Sequence, residues 1–171
     1  MKVLLHQFEP MTTGATEPQR RIIQLREALV AAGVDAEFFR WYDGAQTGDV
    51  LHFFGRVQTS LVRLAHQKGM RLVFTDSLER LRPCSSIQRR LRRAAVQVAQ
   101  KILPYQIVSY LDWQSYQLAD ACVVGAQWEA EFVRDVFAAP SEKIHVVAPA
   151  GAADVAAKLK ALYDSLPRTS R

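Results

Sequence analysis

Three places along this chain combine residue types that could hold or transform a ligand. The first is the segment 11–16, Met-Thr-Thr-Gly-Ala-Thr, between an opening apolar run and a helical pattern. Backbone N–H groups at a helix N-terminus favour anions, so a diphosphate could sit against Thr13 and Gly14. Glu17 follows, at a position where acidic residues are commonplace. The spaced glycines of dinucleotide binders are absent, and a plain strand-to-helix turn is the alternative. The second place is His52, which interrupts the apolar run Val50–Phe54. Either it is a neutral core histidine satisfied by a neighbour, or it lies at the carboxyl end of a parallel strand, where open α/β sheets bind ligands. The third is an arginine cluster, Arg89, Arg90, Arg92 and Arg93.

The arginines belong to a pattern with helical spacing. Ile87, Leu91, Ala94, Ala95, Val98 and Ile102 share one face and the arginines the other. The expectation is that the apolar face packs on the domain. The arginines, with no acidic run beside them in sequence, then face water or an anionic surface. Against an anionic bilayer each surface cation contributes ~1 kcal/mol. Phe, Tyr and Trp are missing from 87–103, so no base-stacking platform accompanies the charge and no nucleic acid is expected.

Composition narrows the classes further. The 171 residues suit one domain. The net charge of +5 is concentrated: residues 78–101 hold seven basic side chains and one acidic. No apolar stretch approaches the ~20 residues of a membrane span. The start, Met-Lys-Val-Leu-Leu-His-Gln, reads as a first strand rather than a targeting peptide, which predicts a cytoplasmic protein. Cys84 and Cys122 lack the spacing of a zinc site or a disulfide framework, and read as a surface thiol and a buried small side chain. The four histidines are scattered, so no metal is expected. Trp41, Trp113 and Trp128 are assigned to packing.

Stepping along the chain, strands are expected at 3–7, 35–41, 50–54, 72–75, 121–124 and 144–147. Helices are expected at 18–32, 58–68, 87–103, 112–119, 127–138 and 153–165. Thr16 is a plausible N-cap for the first helix and Gly33 ends it. Strands alternating with helices require crossover connections. Their nearly continuous apolar character predicts a sheet buried on both faces. The expected architecture is a three-layer, Rossmann-like α/β domain with a mainly parallel sheet. Residues 1–151 form its body, and 152–171 a C-terminal helix and tail packed on it.

Several segments resemble the N-terminal domain of the family-4 glycosyltransferases of GT-B fold. Asp-Val-Leu-His-Phe-Phe-Gly at 49–55 is similar to that family's Asp-Val-x-His-x-His-Gly strand, with Phe54 at its second histidine. Leu-Ala-Asp-Ala-Cys-Val-Val at 118–124 resembles its "ADAVIAVS" strand. Residues 140–151, Pro-Ser-Glu-Lys-Ile-His-Val-Val-Ala-Pro-Ala-Gly, are similar to "PPEKIHVVPNGV" at the end of that domain. The resemblance implies an acceptor-side domain whose partner domain binds a nucleotide-sugar donor. It implies that the loop with Thr13, Gly14 and Glu17 approaches donor and acceptor. It places Ser77 where the family often carries a histidine near the transferred sugar. Asp76 beside it is then either a ligand for an acceptor hydroxyl or a helix cap. The final Ala-rich helix resembles the one that, in whole family members, crosses back onto the first domain.

Two functions follow as expectations. One is the acceptor-binding domain of a glycosyltransferase, inactive without a donor domain, with no cofactor beyond the nucleotide sugar that domain would bring. The other is a non-catalytic binding module whose basic helix holds an anionic membrane surface, at the inner membrane face, or a protein partner. A dinucleotide-dependent oxidoreductase is the poorest reading, because its glycine fingerprint is missing.

Overall fold

Short β-branched and aromatic runs fix the strands of this chain, and apolar positions repeating every three to four residues fix its helices. A computed structural model describes residues 1–7, 16–40, 42–78, 85–103 and 113–167. Its elements run β1 (Lys2–Gln7), α1 (Glu17–Ala31), β2 (Asp35–Phe38), β3 (Val50–Phe54), α2 (Thr59–Gln67) and β4 (Arg71–Thr75). There follow α3 (Ser86–Ile102), the single turn α4 (Ser115–Leu118), β5 (Ala121–Val124), α5 (Gln127–Phe137), β6 (Ile144–Val146) and α6 (Ala152–Ser165). The strands form a six-stranded sheet in the order β2-β1-β3-β4-β5-β6. Every neighbouring pair is parallel. This is the expected Rossmann-like α/β sheet with helices on both faces.

Alternation along each strand sends side chains to two cores. Leu51 and Phe53 of β3, with Leu72 and Phe74 of β4, join Val62 and Ala65 of α2 and Phe132 and Val133 of α5. Val50 and Val73 point the other way. They join Leu25 and Leu29 of α1 and Leu159, Leu162 and Tyr163 of α6. The last helix is therefore part of the domain, lying beside α1 over one face of the sheet. Buried Arg71 secures its end, donating to the carbonyls of Tyr163 (3.3 Å) and Leu166 (2.9 Å). A cation at a helix C-terminus meets carbonyls that the helix leaves unpaired.

Local chemistry explains the boundaries. At the start of α1 the Gln19 side chain accepts the Thr16 backbone N–H (2.9 Å). At the start of α3, Ser85 and Gln88 cap each other reciprocally, at 3.3 and 3.0 Å. Gly33 turns the chain after α1 with φ of 83°, a conformation costly to residues with a Cβ. The second strand ends at Phe38, short of the expected residue 41. Buried Gln46 stops the ladder there: it accepts the Arg40 N–H (2.7 Å) and donates to the Phe38 carbonyl (3.0 Å). Trp41 lies outside the described residues. Trp113 and Trp128 pack, half-buried, against the α2/α5 core.

Gly48 lets the loop before β3 press on Leu4. A Cβ there would stand 2.9 Å from Leu4 Cγ and 3.3 Å from the Lys2 carbonyl oxygen. Gly48→Ala is expected to lower unfolding stability by ~1–3 kcal/mol, the usual cost of overpacking. Chemical denaturation of the variant beside the parent checks this.

Candidate functional site

His52 sits at the middle of β3 and is fully buried. Its ring is bonded on both nitrogens, to the hydroxyl of Tyr163 from α6 and to Thr75 Oγ1 (2.8 Å) at the end of β4. A neutral imidazole offers one donor and one acceptor, and two hydroxyls match that set. Phe54 stacks on the ring at 4.4 Å. Burial drives the His52 pKa down from 6.5 to about 3. His52 thus stands as a core histidine with both ring nitrogens satisfied by neighbours. The helix α6 covers the ring, which has no exposed surface.

Polar groups do gather at the carboxyl edge of β3, β4 and β5. Asp76 follows β4, is buried, and accepts the hydroxyl hydrogen bond of buried Tyr116 from α4. Its backbone N–H donates to the Val123 carbonyl (3.1 Å), fixing it against β5. Arg56, just past β3, stands 3.9 Å from the same carboxylate and keeps 41% of its side chain exposed. Burial is the main influence on Asp76 and raises its pKa; Tyr116 and Arg56 oppose that, and Glu129 adds to it. Glu129 is buried at the start of α5. It accepts three backbone N–H groups, from Leu78 (3.0 Å), Gly125 (2.7 Å) and Ala126 (3.0 Å). One carboxylate thus ties the loop after β4 to the turn after β5. Ser77, the next residue, is exposed.

This arrangement offers a ligand at the edge a partly exposed guanidinium beside a buried carboxyl that is biased toward its neutral form. Such a pair suits hydroxyl or anionic groups. Cys122 lies beneath, buried, with burial pushing its thiol well up from the ordinary range. A thiol in that state is unreactive. Among the described residues no group of three or more His, Cys, Asp or Glu side chains is placed to hold a metal. Thr13, Gly14 and Cys84 fall outside the described residues. Glu17 is exposed and pairs with Arg21 at 3.3 Å.

The α3 helix reverses the expected packing. Ile87, Leu91, Val98 and Ile102 are 69, 66, 53 and 74% exposed, and Val96 is the buried apolar residue of the helix. Arg89, expected in solvent, is 16% exposed. It pairs with Glu131 (3.1 Å) and Asp135 (2.8 Å) of α5. The Arg92 guanidinium lies 5.5 Å from the Phe132 ring centre, a cation–π contact. The missing acidic partners were thus 42 and 46 residues away in sequence. The helix docks by its arginine side and presents its apolar stripe outward, with Arg90, Arg93 and Lys101 also exposed.

Sequence reading did not single out Arg56, Tyr116 or Tyr163. Only Arg56 carried a local signal, the cation directly after the glycine that ends a strand. No protein-family model matches this chain, and no curated protein matches it either. What is established is the class, a Rossmann-like α/β domain. Among its described residues no helix is long and apolar enough to cross a membrane.

The raised Asp76 pKa has a definite sign. A carboxyl whose pKa is raised by folding contributes stability that is full below its unfolded pKa and is lost as pH rises through the folded value. Asp76→Asn keeps an acceptor for Tyr116 and removes the buried charge. The Tm difference between the variant and the parent should therefore shift in the variant's favour from about pH 4 to about pH 7. Thermal melts across that range test it, and a constant difference would show an unperturbed carboxyl.

Proposed function

We propose that this chain is a glycosyltransferase-like acceptor-binding domain that works with a nucleotide-sugar-binding domain supplied elsewhere. The observation that carries the reading is the path of α6. After the segment that resembles the end of a GT-B N-terminal domain, the chain forms a helix that returns over α1 and buries Tyr163 against His52. A helix closing back onto the first domain is the feature the resemblance implies. The cluster of Asp76 and Arg56 at the carboxyl edge supplies groups that suit acceptor hydroxyls. In this reading the nucleotide sugar is held by another segment or chain.

Two measurements test this. Incubated alone with a panel of nucleotide sugars and saccharide acceptors, the chain should give no transfer above background. In backbone NMR titrations, a saccharide acceptor should shift resonances near Arg56 and Asp76, and Arg56→Gln should weaken that binding. Turnover by the isolated chain contradicts the division of labour. Absence of shifts across the acceptor panel removes the acceptor role.

A second reading rests on α3. A helix docked by its polar side, with four large aliphatic side chains outward and cations beside them, has the build of an interfacial helix. In this reading the chain is a binding module that lies on an anionic membrane surface, with a protein partner as the alternative occupant. Vesicles containing phosphatidylglycerol should sediment the protein at low salt, and less at high salt, while phosphatidylcholine vesicles should not. Leu91→Ser together with Val98→Ser should abolish the sedimentation and change stability by no more than about 0.5 kcal/mol per site, as exposed positions do. Arg89→Gln should instead lower the Tm, since it removes the cation that links α3 to Glu131 and Asp135 of α5. Indifference of the parent protein to anionic vesicles at low salt eliminates the membrane.

A further inference from the structure

The connections leaving β1 and β3 part at the carboxyl edge of the sheet: α1 packs on one face and α2 on the other. β1 and β3 are neighbours in the sheet. Such a switch point opens a crevice between the two strand ends, where open α/β sheets take ligands. A cavity of about 270 Å³ lies there, lined by His6, Phe53, Gln58, Ser60, Leu61 and Leu64. It is separate from Asp76 and its neighbours and from the α3 stripe.

The lining is chemically specific. Phe53, Leu61 and Leu64 are apolar, and none of the six side chains carries a fixed charge. The His6 ring is half-buried and held edge-on by Phe39 and Phe53, each at 5.1 Å between centroids. Burial lowers the His6 pKa from 6.5, so at neutral pH the ring offers one donor and one acceptor. Among the described residues, the side chains of His6, Gln58 and Ser60 make no hydrogen bonds. Each of the three presents both a donor and an acceptor. The first turn of α2 holds no acidic residue, so its N-terminal dipole favours an electron-rich group on the ligand.

We infer that this cavity is a binding site for an uncharged aromatic ring with an amide-type edge, the chemistry shared by aryl amides and nucleobases. The aromatic walls accept a π-ring in edge or offset contact. His6, Gln58 and Ser60 meet the ligand's carbonyl and N–H. The volume is close to the lower end of the ~300–1,000 Å³ typical of small-molecule pockets, which restricts the ligand to about one ring system. The site stands apart from the transferase and membrane readings and survives the failure of either.

The test uses benzamide and uracil as probes, with cyclohexanecarboxamide as the non-aromatic control, on the full chain labelled for NMR. At least one aromatic probe should give saturable shifts centred on His6, Phe53, Ser60 and Leu64, with a dissociation constant on the order of 1 mM. The control should bind at least about fivefold more weakly, the scale of one lost aromatic contact. His6→Phe keeps the ring's bulk and removes its nitrogens, and should weaken binding about fivefold, as expected for one hydrogen bond. Leu64 is 44% exposed, so Leu64→Glu can obstruct the cavity without entering the core, and should abolish the shifts with the rest of the spectrum retained. The inference is overturned if neither aromatic probe saturates, if the control binds equally well, or if Leu64→Glu leaves binding unchanged.

Discussion

A polar side chain in the middle of a buried parallel strand must find partners inside the protein, and His52 finds them in two other elements at once. Its ring joins β3 to Thr75 at the end of β4 and to Tyr163 on α6. An unpaired buried polar group costs about 1–3 kcal/mol, so these bonds strongly favour the arrangement that satisfies them. That arrangement requires α6 to lie over the sheet beside α1. Arg71, also buried, binds the carbonyls of Tyr163 and Leu166 at the same C-terminal end of that helix. The C-terminal helix is therefore held by two specific polar contacts as well as by Leu159 and Leu162.

With the His52 ring taken up inside that face, the polar groups described above lie at the carboxyl edge and on the opposite side of the sheet. The edge carries Arg56, Asp76 and the backbone clamp formed by Glu129. The switch point carries the cavity beside His6. On that side α3 is attached to α5 by Arg89 and Arg92, with Val96 as its one buried large aliphatic side chain. Ion pairs at a partly exposed contact contribute modestly. The α3 helix is therefore expected to be among the more weakly held elements of the domain, and its aliphatic stripe is left facing outward.

The strands were legible because each is a short apolar run between turn residues, and both faces of a parallel sheet demand such runs. Most helices were legible to within a residue or two, while the helix expected at 112–119 is the single turn Ser115–Leu118. The orientation of α3 was not legible. The rule that an apolar stripe faces the core assumes that the core offers the best site for the helix. Here Glu131 and Asp135, far along the chain, captured Arg89 instead. His52 was ambiguous for a related reason. Its partner Tyr163 lies 111 residues away, and nothing local separates a satisfied core histidine from one at a ligand site. Asp76 was noticed, but Tyr116 and Arg56, which define its surroundings, come from other elements that only the folded sheet brings together.

The most direct test of this account is the titration of the His52 ring, followed through its side-chain nitrogen resonances in the folded protein. The account predicts a neutral ring of one fixed tautomer from neutral pH down to about pH 4, with Tyr163→Phe perturbing that ring and loosening α6. A His52 that takes up a proton near pH 6.5, the ordinary histidine value, and is indifferent to Tyr163→Phe would contradict it. In that case the ring would be open to solvent and α6 would not be the cover of the sheet.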